Sequence, residues 1–154
     1  MLRKSSVSDP DTAPPWYAAG LRFTCMQCGH CCSGTPGYVW VTESEIHAVA
    51  AHCGLRPAEF TRRHVRQVGA RYSLLENEGG DCEFLARLAH GTTHCRIHPV
   101  RPVQCRTWPF WSSNVGSPEA WRLTARHCPG VDNTGQHPLE AIKEALETNG
   151  GLPL

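Results

Sequence analysis

Four of the nine cysteines in this sequence fall within eight residues, at Cys25, Cys28, Cys31 and Cys32. Two residues between cysteines allow a tight turn to bring both sulfur atoms onto one metal ion, while N–H groups of the turn remain free to hydrogen-bond the thiolates. The first three cysteines also have the spacing of the first three ligands in a bacterial-type iron–sulfur run. Core packing does not require such a density of cysteine, so the run predicts metal ligation.

Cys32 follows Cys31 directly. Because adjacent side chains diverge along a chain, we expect these two sulfur atoms to reach two metal ions, or two atoms of one cluster. We do not expect them at neighbouring corners of one tetrahedron. The run therefore supplies half of a metal site, and the rest of the chain must supply the other half.

The other half is expected from four distant cysteines that lie in predicted turns or hairpin arms. These are Cys82, Cys95, Cys105 and Cys128. Ordinary buried thiols are the alternative for these four, and a disulfide framework is the alternative for all eight. The N-terminus lacks the hydrophobic segment of a secretory signal, so we expect a cytoplasmic protein with reduced thiols. Cys53 is expected to pack in the core, because it lies on the apolar face of a predicted helix with no cysteine nearby.

Two arginines flank Cys105 and are predicted to bind the cofactor. Eight thiolates around two zinc ions carry a net negative charge, and the guanidinium groups of Arg101 and Arg106 could compensate it. Simple surface arginines are the alternative.

Four histidines lie close to cysteines, and three aromatic residues follow Cys105. The histidines are His30, His94, His98 and His127. Since eight thiolates already fill two tetrahedral sites, we expect these imidazoles to hydrogen-bond near the metal or to be exposed, with ligation as the minor alternative. Trp108, Phe110 and Trp111 are expected to form a hydrophobic wall that shields the site.

The charge balance excludes several classes of partner. Fifteen basic and fourteen acidic residues give a net charge of +1, which does not indicate a basic surface for binding nucleic acid or an anionic membrane. No apolar run is long enough to span a bilayer. No nucleophile–base motif, phosphate loop or dinucleotide fingerprint is present, so the sequence leaves enzymatic activity open. The partners we expect are metal ions together with a redox or protein partner.

A small, irregular α+β domain must position these cysteines. Fourteen glycines and twelve prolines in 154 residues predict many loops and short elements. A capping box at Thr42 and Glu45 predicts a helix over residues 43–53. Further helices are expected over residues 57–65, just after Pro102, and over 138–147. Strands are expected over residues 38–41, 71–75 and 121–124, and a hairpin is expected with arms 82–85 and 94–97.

Composition divides the chain into three parts. Residues 1–20 are polar and proline-bearing and predict a flexible tail. Residues 21–131 carry the cysteines and predict the metal-binding domain. Residues 132–154 contain an amphipathic helix that we expect to pack on this domain.

Three segments resemble the CxxCxxCC cysteine-cluster family, also called YkgJ-like. They are the cysteine run, the arm 82–85 and the block from Cys95 to Phe110, which contains the pairs Arg101-Pro102 and Cys105-Arg106. Cys128-Pro129-Gly130 fits the last cysteine of that pattern, and the resemblance covers roughly residues 23 to 130. It implies a zinc- or iron-chelating domain, described in the family as an iron–sulfur protein or oxidoreductase. A related cluster occurs in flagellin lysine methylases. Two departures are His98, in place of an aromatic residue, and Trp108, in place of phenylalanine.

Three functional classes stay open at this point. A redox or electron-transfer protein would carry a 4Fe–4S cluster on Cys25, Cys28, Cys31 and Cys128, with the other four cysteines holding a second metal. A structural zinc module without catalysis would place four thiolates on each of two ions. The third class, by analogy with the protein lysine methylases, is an accessory domain or an enzyme that acts on a protein side chain or methyl donor. It would need an open coordination position or a pocket.

Overall fold

The structure is a computed structural model that describes residues 13–34 and 37–150, so most of the predicted tail over residues 1–20 lies outside the described residues. It contains short helices and strands in the expected α+β mixture. The helices are α1 Glu43–His52, α2 Pro57–His64, α3 Val103–Thr107, α4 Ser112–Val115, α5 Pro118–His127 and α6 Leu139–Asn149. The strands are β1 Leu21–Phe23, β2 Val39–Val41, β3 Val65–Val68, β4 Arg71–Leu74, β5 Leu85–Arg87, β6 Thr93–Cys95 and β7 Val131–His137.

The strands form three small antiparallel sheets. The largest has the order β2-β4-β3, with Trp40 opposite Ser73 and Arg66 also opposite Ser73. Strands β5 and β6 form a hairpin in the expected region, but its arms are residues 85–87 and 93–95 instead of 82–85 and 94–97. Leu85 lies opposite Cys95, and Cys82 precedes the first arm. Strands β1 and β7 join the two ends of the described chain, with a register shift between Arg22 and Phe23. No sheet is wide enough to organise the whole fold, so loops carry most of the site.

Two separate hydrophobic clusters make up the core. One gathers β1, β7 and the helices α4 to α6 around Phe23, Phe110 and Trp121, and it includes Cys128. The other gathers α1, α2 and the three-stranded sheet around Val49 and Phe60. Cys82 and Cys95 pack against this second cluster. Cysteines of the predicted site are thus found at both clusters.

Helix α1 begins as the capping box predicts. The Glu45 N–H donates to the Thr42 hydroxyl oxygen at 3.3 Å, and the Thr42 N–H donates to the Glu45 carboxylate at 2.9 Å. The helix ends at His52, one residue before the expected end, so Cys53 lies at the C-cap and is exposed. The prediction that Cys53 packs in the core is therefore wrong. Gly54 has a φ of 69°, which turns the chain so that Leu55 covers the core instead.

The predicted strand over residues 121–124 is also wrong. Ser117 caps a helix there, because its hydroxyl oxygen accepts the Ala120 N–H at 3.1 Å and Pro118 occupies the first turn. Trp121 and Thr124 then point inward from the same face of α5. The β-branched and aromatic residues of this segment had suggested a strand, but their spacing of three residues fits a helical face.

Candidate metal centre

All eight cysteines predicted as ligands line one cavity of about 70 Å³, which we call the cysteine cavity. They are Cys25, Cys28, Cys31, Cys32, Cys82, Cys95, Cys105 and Cys128. Cys53, the ninth cysteine, is not part of this lining. The fold therefore separates the cysteines as the spacing predicts, with eight together and one apart.

Left-handed backbone at two positions shapes the cysteine run. Gln27 has a φ of 49° and Gly29 has a φ of 79°, and a short 3-10 turn, His30–Cys32, follows. A Cβ on Gly29 would lie 3.1 Å from the Leu85 side chain and 3.2 Å from Thr93, so glycine lets the run press against the β5–β6 hairpin. This contact brings Cys28 toward the strand that ends at Cys95.

Two hydrogen bonds that Gln27 accepts connect the β5–β6 hairpin to the cysteine run. The Cys95 N–H donates to the Gln27 side-chain oxygen at 3.2 Å, and the Thr93 hydroxyl donates to the Gln27 carbonyl oxygen. Sequence reasoning assigned no role to Gln27. Its place between Cys25 and Cys28 was the available signal, since residues inside a ligand run often orient its backbone.

A backbone hydrogen bond connects Cys82 to Cys32, the last residue of the cysteine run. The Cys82 N–H donates to the Cys32 carbonyl oxygen at 2.7 Å, just before strand β5 begins. Cys32 and Cys82 are therefore direct neighbours although fifty positions separate them in sequence.

Cys105 reaches the cavity on the short helix α3, which the large sheet anchors. The buried Gln104 side chain accepts the Trp40 N–H at 2.8 Å and donates to the Tyr38 carbonyl oxygen at 2.9 Å. At the start of α3, the Val103 N–H donates to the Glu45 carboxylate at 2.7 Å. A helix of five residues is too short to hold its position alone, so these bonds place Cys105.

Cys128 caps the C-terminal end of α5 and belongs to the hydrophobic cluster around Trp121. The Thr24 N–H donates to the Gly130 carbonyl oxygen at 3.0 Å, which fixes the Cys128 turn beside the start of the run. The Trp108 indole N–H points to the Cys128 sulfur atom at 3.5 Å. Trp108 was expected only as a hydrophobic wall, so its hydrogen bond to sulfur is an addition to that role.

The sulfur atoms of Cys31 and Cys32 lie 3.7 Å apart. A zinc–sulfur bond of about 2.3 Å implies about 3.8 Å between two sulfur atoms on one tetrahedral ion. The expectation that adjacent side chains diverge therefore does not apply here. Both residues lie in the 3-10 turn His30–Cys32, and their sulfur atoms have the spacing of two ligands of a single ion.

The thiols of Cys31 and Cys32 are hydrogen-bonded to each other. A hydrogen bond from the Cys32 thiol lowers the pKa of Cys31 to about 7, and the Arg101 charge contributes to this lowering. The same hydrogen bond raises the pKa of Cys32, and burial raises it further. One sulfur of the pair is thus close to being a thiolate, the form that binds metal, near neutral pH.

At four other cysteines of the cavity, burial raises the pKa of the thiol. It raises the pKa of Cys82 to about 11, and it raises the pKa of Cys28, Cys95 and Cys105. Charges on neighbouring cysteines add to this effect at each of them. Such thiols stay protonated at neutral pH, so an ion that binds them must displace their protons.

Arg101 lines the cysteine cavity and Arg106 does not. The Arg101 guanidinium donates to the His98 carbonyl oxygen at 2.7 Å, and its charge opposes the effect of burial at Cys95 and Cys105. The exposed Arg106 lies 3.9 Å from the Glu45 carboxylate instead. The structure therefore brings one of the two predicted arginines to the cysteines.

Of the four histidines near cysteines, only His98 lines the cysteine cavity; His30, His94 and His127 are exposed. One His98 nitrogen, Nδ1, lies 3.4 Å from the Arg101 guanidinium. The other, Nε2, is buried and has no hydrogen-bond partner among the described residues. Burial and the charges of Arg101 and His94 lower the pKa of His98, which favours the neutral ring.

A second cavity of about 100 Å³ adjoins the cysteine cavity. Four of the eight cysteines line both spaces: Cys31, Cys32, Cys82 and Cys105. The other four, Cys25, Cys28, Cys95 and Cys128, line the cysteine cavity alone. The eight thiols thus fall into two sets of four by position.

The donor set fits a thiophilic metal, because eight thiols and one guanidinium surround the same small space. Among residues 13–34 and 37–150, no three His, Cys, Asp or Glu side chains are already gathered closely enough to hold one ion. Cysteine has a single side-chain torsion between Cα and sulfur, so rotation about it can close a set around an ion.

The sequence model of the CxxCxxCC family, described as "Putative zinc- or iron-chelating domain", matches residues 24–129. This is well over half of the chain and includes every cysteine of the cavity. The chain belongs to the CxxCxxCC family. The resemblance drawn from the cysteine spacing is therefore confirmed, and the family description supports metal chelation of the zinc or iron type.

A relative in Methanocaldococcus jannaschii, the uncharacterized protein MJ0661, is 31% identical over 94 residues. These residues are 61% of this chain and 48% of the relative, so the aligned region spans about half of the relative's length. No solved structure matches the chain significantly. Within the described residues, no helix combines the length and the apolar character needed to cross a membrane.

Proposed function

We propose that this protein binds two metal ions through its eight cavity cysteines, four thiolates to each ion. The observation that carries the proposal is the common cavity, which all eight share and from which Cys53 is absent. Four thiolates complete a tetrahedral site and leave no open coordination position, which is the arrangement of structural zinc.

The first set of ligands is Cys31, Cys32, Cys82 and Cys105. The spacing of 3.7 Å between the first two sulfur atoms supports one shared ion. The hydrogen bond from Cys82 to the Cys32 carbonyl oxygen supports the third member. Cys105 belongs here because it lines the second cavity together with the other three.

The second set is Cys25, Cys28, Cys95 and Cys128. Gln27 connects the run to Cys95, and the Thr24–Gly130 hydrogen bond connects it to the Cys128 turn. This partition differs from a 4Fe–4S cluster on Cys25, Cys28, Cys31 and Cys128, because it gives Cys31 to the same ion as Cys32. In a four-iron cluster each iron takes one thiolate, whereas a mononuclear ion takes two from an adjacent pair.

The ions would join the two hydrophobic clusters of the core. Cys128 belongs to the cluster around Trp121, whereas Cys82 and Cys95 pack on the cluster around Phe60. Structural zinc contributes roughly 10–16 kcal/mol in small metal-binding peptides, as much as the whole stability of a typical domain. A zinc-stabilised module is thus the function that the geometry supports best.

A redox protein with iron is the second candidate. Cys25 and Cys31 are exposed, which would bring an iron centre near the surface where an electron partner could approach. Iron in a tetrathiolate site or a cluster absorbs visible light, whereas zinc does not, so colour distinguishes the two candidates.

Anaerobic purification followed by elemental analysis and an absorption spectrum tests the proposal. We expect a colourless protein with about two zinc ions per chain. A Cys53→Ser variant is the matched control and should keep both ions, because Cys53 lies outside the cavity. Cys28→Ser should lose metal. A brown protein that contains iron and sulfide would support the redox candidate instead, and a wild-type chain without metal would refute both.

A further inference from the structure

The His98 ring presents an unsatisfied hydrogen-bond donor beside the cysteine cavity. Its Nδ1 lies 3.4 Å from the Arg101 guanidinium, a group that can only donate hydrogen bonds. The Nδ1 atom must therefore accept, and in a neutral imidazole the proton is then on Nε2. The Nε2–H group is buried without a partner among the described residues.

A buried donor without an acceptor is energetically costly, so native structures rarely keep one. Since His98 lines the same space as the eight cysteines, their sulfur atoms are the candidate acceptors. A neutral thiol is a weak acceptor, whereas a metal-bound thiolate accepts strongly. The missing acceptor would thus form when the cysteines bind a metal ion.

We propose that His98 donates a hydrogen bond from Nε2 to a metal-bound cysteine sulfur of the cysteine cavity and positions that thiolate without ligating the ion. This inference rests on the proposed function. Arg101 fixes the ring from the opposite side, because its guanidinium also donates to the His98 carbonyl oxygen at 2.7 Å. The positive charge of Arg101 would neutralise part of the thiolate charge, and the neutral His98 ring would add a hydrogen bond.

Two substitutions separate the donor atom from the bulk of the ring. In His98→Gln, the side-chain amide nitrogen reaches the place of Nε2 and can donate. In His98→Asn, the amide reaches only the place of Nδ1. The probe is Co²⁺, which binds tetrahedral thiolate sites in place of Zn²⁺ and gives sulfur-to-cobalt charge-transfer bands. Affinity comes from competition with a chelator of known strength.

We expect all three proteins to bind the same number of cobalt ions. His98→Asn should bind on the order of tenfold more weakly, since a hydrogen bond to a charged group is lost. Its charge-transfer bands should move to lower energy, because a thiolate without a donor gives up electrons more readily. His98→Gln should stay close to wild type in affinity and band energy.

Two results would overturn the role of His98 alone. One is an Asn variant with wild-type affinity and bands. The other is a nitrogen ligand in the cobalt X-ray absorption of wild type that both variants lack, because His98 would then be a ligand. A wild-type protein that binds no cobalt through thiolates would refute the proposed function and this inference together. His47→Gln, at an exposed histidine of α1, is the control and should change nothing.

Discussion

The sulfur atoms of Cys31 and Cys32 lie 3.7 Å apart, although the two residues are adjacent in the chain. Adjacent residues on a strand point to opposite faces, but the 3-10 turn that contains this pair lets both side chains face the cavity. The pair therefore has the spacing of two ligands on one tetrahedral ion.

Single and double substitutions of this pair test whether both sulfur atoms bind the same ion. We expect Cys31→Ser and Cys32→Ser each to lose one of two ions, and the double variant to lose no more than either single variant. Residues that act on one site show such non-additive effects. Metal content by mass spectrometry of the native protein is the measurement. Two ions lost in the double variant, against one in each single variant, would assign the pair to different ions.

Trp108→Phe should weaken the metal site without disturbing the packing. The phenyl ring keeps most of the contact area but removes the N–H group that lies 3.5 Å from the Cys128 sulfur atom. A hydrogen bond of this kind is worth about 1–2 kcal/mol, which corresponds to roughly five- to thirtyfold weaker zinc binding. Competition with a chelator measures the change.

Trp111→Phe is the matched control for Trp108→Phe. The two indole rings are in edge-to-face contact, but the Trp111 N–H donates to the Gln104 carbonyl oxygen at 3.1 Å and not to sulfur. We expect Trp111→Phe to affect stability more than zinc affinity. Equal losses of affinity in both variants would assign the effect of Trp108 to packing.

Gly130→Ala should destabilise the turn that carries Cys128. A Cβ on Gly130 would overlap the Thr24 carbonyl oxygen, which is backbone and cannot move aside like a side chain. The Thr24 N–H also donates to the Gly130 carbonyl oxygen, so the displaced turn would lose this bond. Overpacking of this kind costs about 1–3 kcal/mol.

Denaturant unfolding of the metal-loaded protein measures this cost, with Gly79→Ala as the control. A Cβ on Gly79 would meet no atom within 4 Å, and its φ is not positive, so we expect a change within about 0.5 kcal/mol. An unchanged midpoint for Gly130→Ala would mean that the Cys128 turn is not tightly packed against Thr24.

Zinc affinity should fall as the pH falls. Burial raises the pKa of Cys82 to about 11 and also raises the pKa of Cys95, so both are protonated thiols throughout the neutral range. Protons and zinc compete for such sulfur atoms. Each thiol that must lose a proton therefore weakens binding about tenfold for every unit of decreasing pH.

Chelator competition between about pH 6 and 8, corrected for protonation of the chelator, measures this dependence. Cys31 should contribute less than Cys82, because its pKa of about 7 leaves it partly ionised in that range. An affinity that does not change with pH would mean that the cavity thiols are already ionised before the metal binds.

The sequence alone identified the candidate ligands and several local elements. The spacing of Cys25, Cys28 and Cys31 reflects backbone geometry within a few residues, so it can be read without a structure. The same holds for the capping box at Thr42 and Glu45, which the structure reproduces. Local interactions of this kind involve residues that are near in the chain and therefore leave a pattern in it.

The tertiary structure alone decided which cysteines are neighbours and which other residues meet them. The packing of distant segments places Cys82 beside Cys32 and Trp108 beside Cys128. It also brings Arg101 to the cavity and leaves Arg106 outside it. Contacts across the core leave no fixed spacing in the sequence, because the intervening loops can have any length.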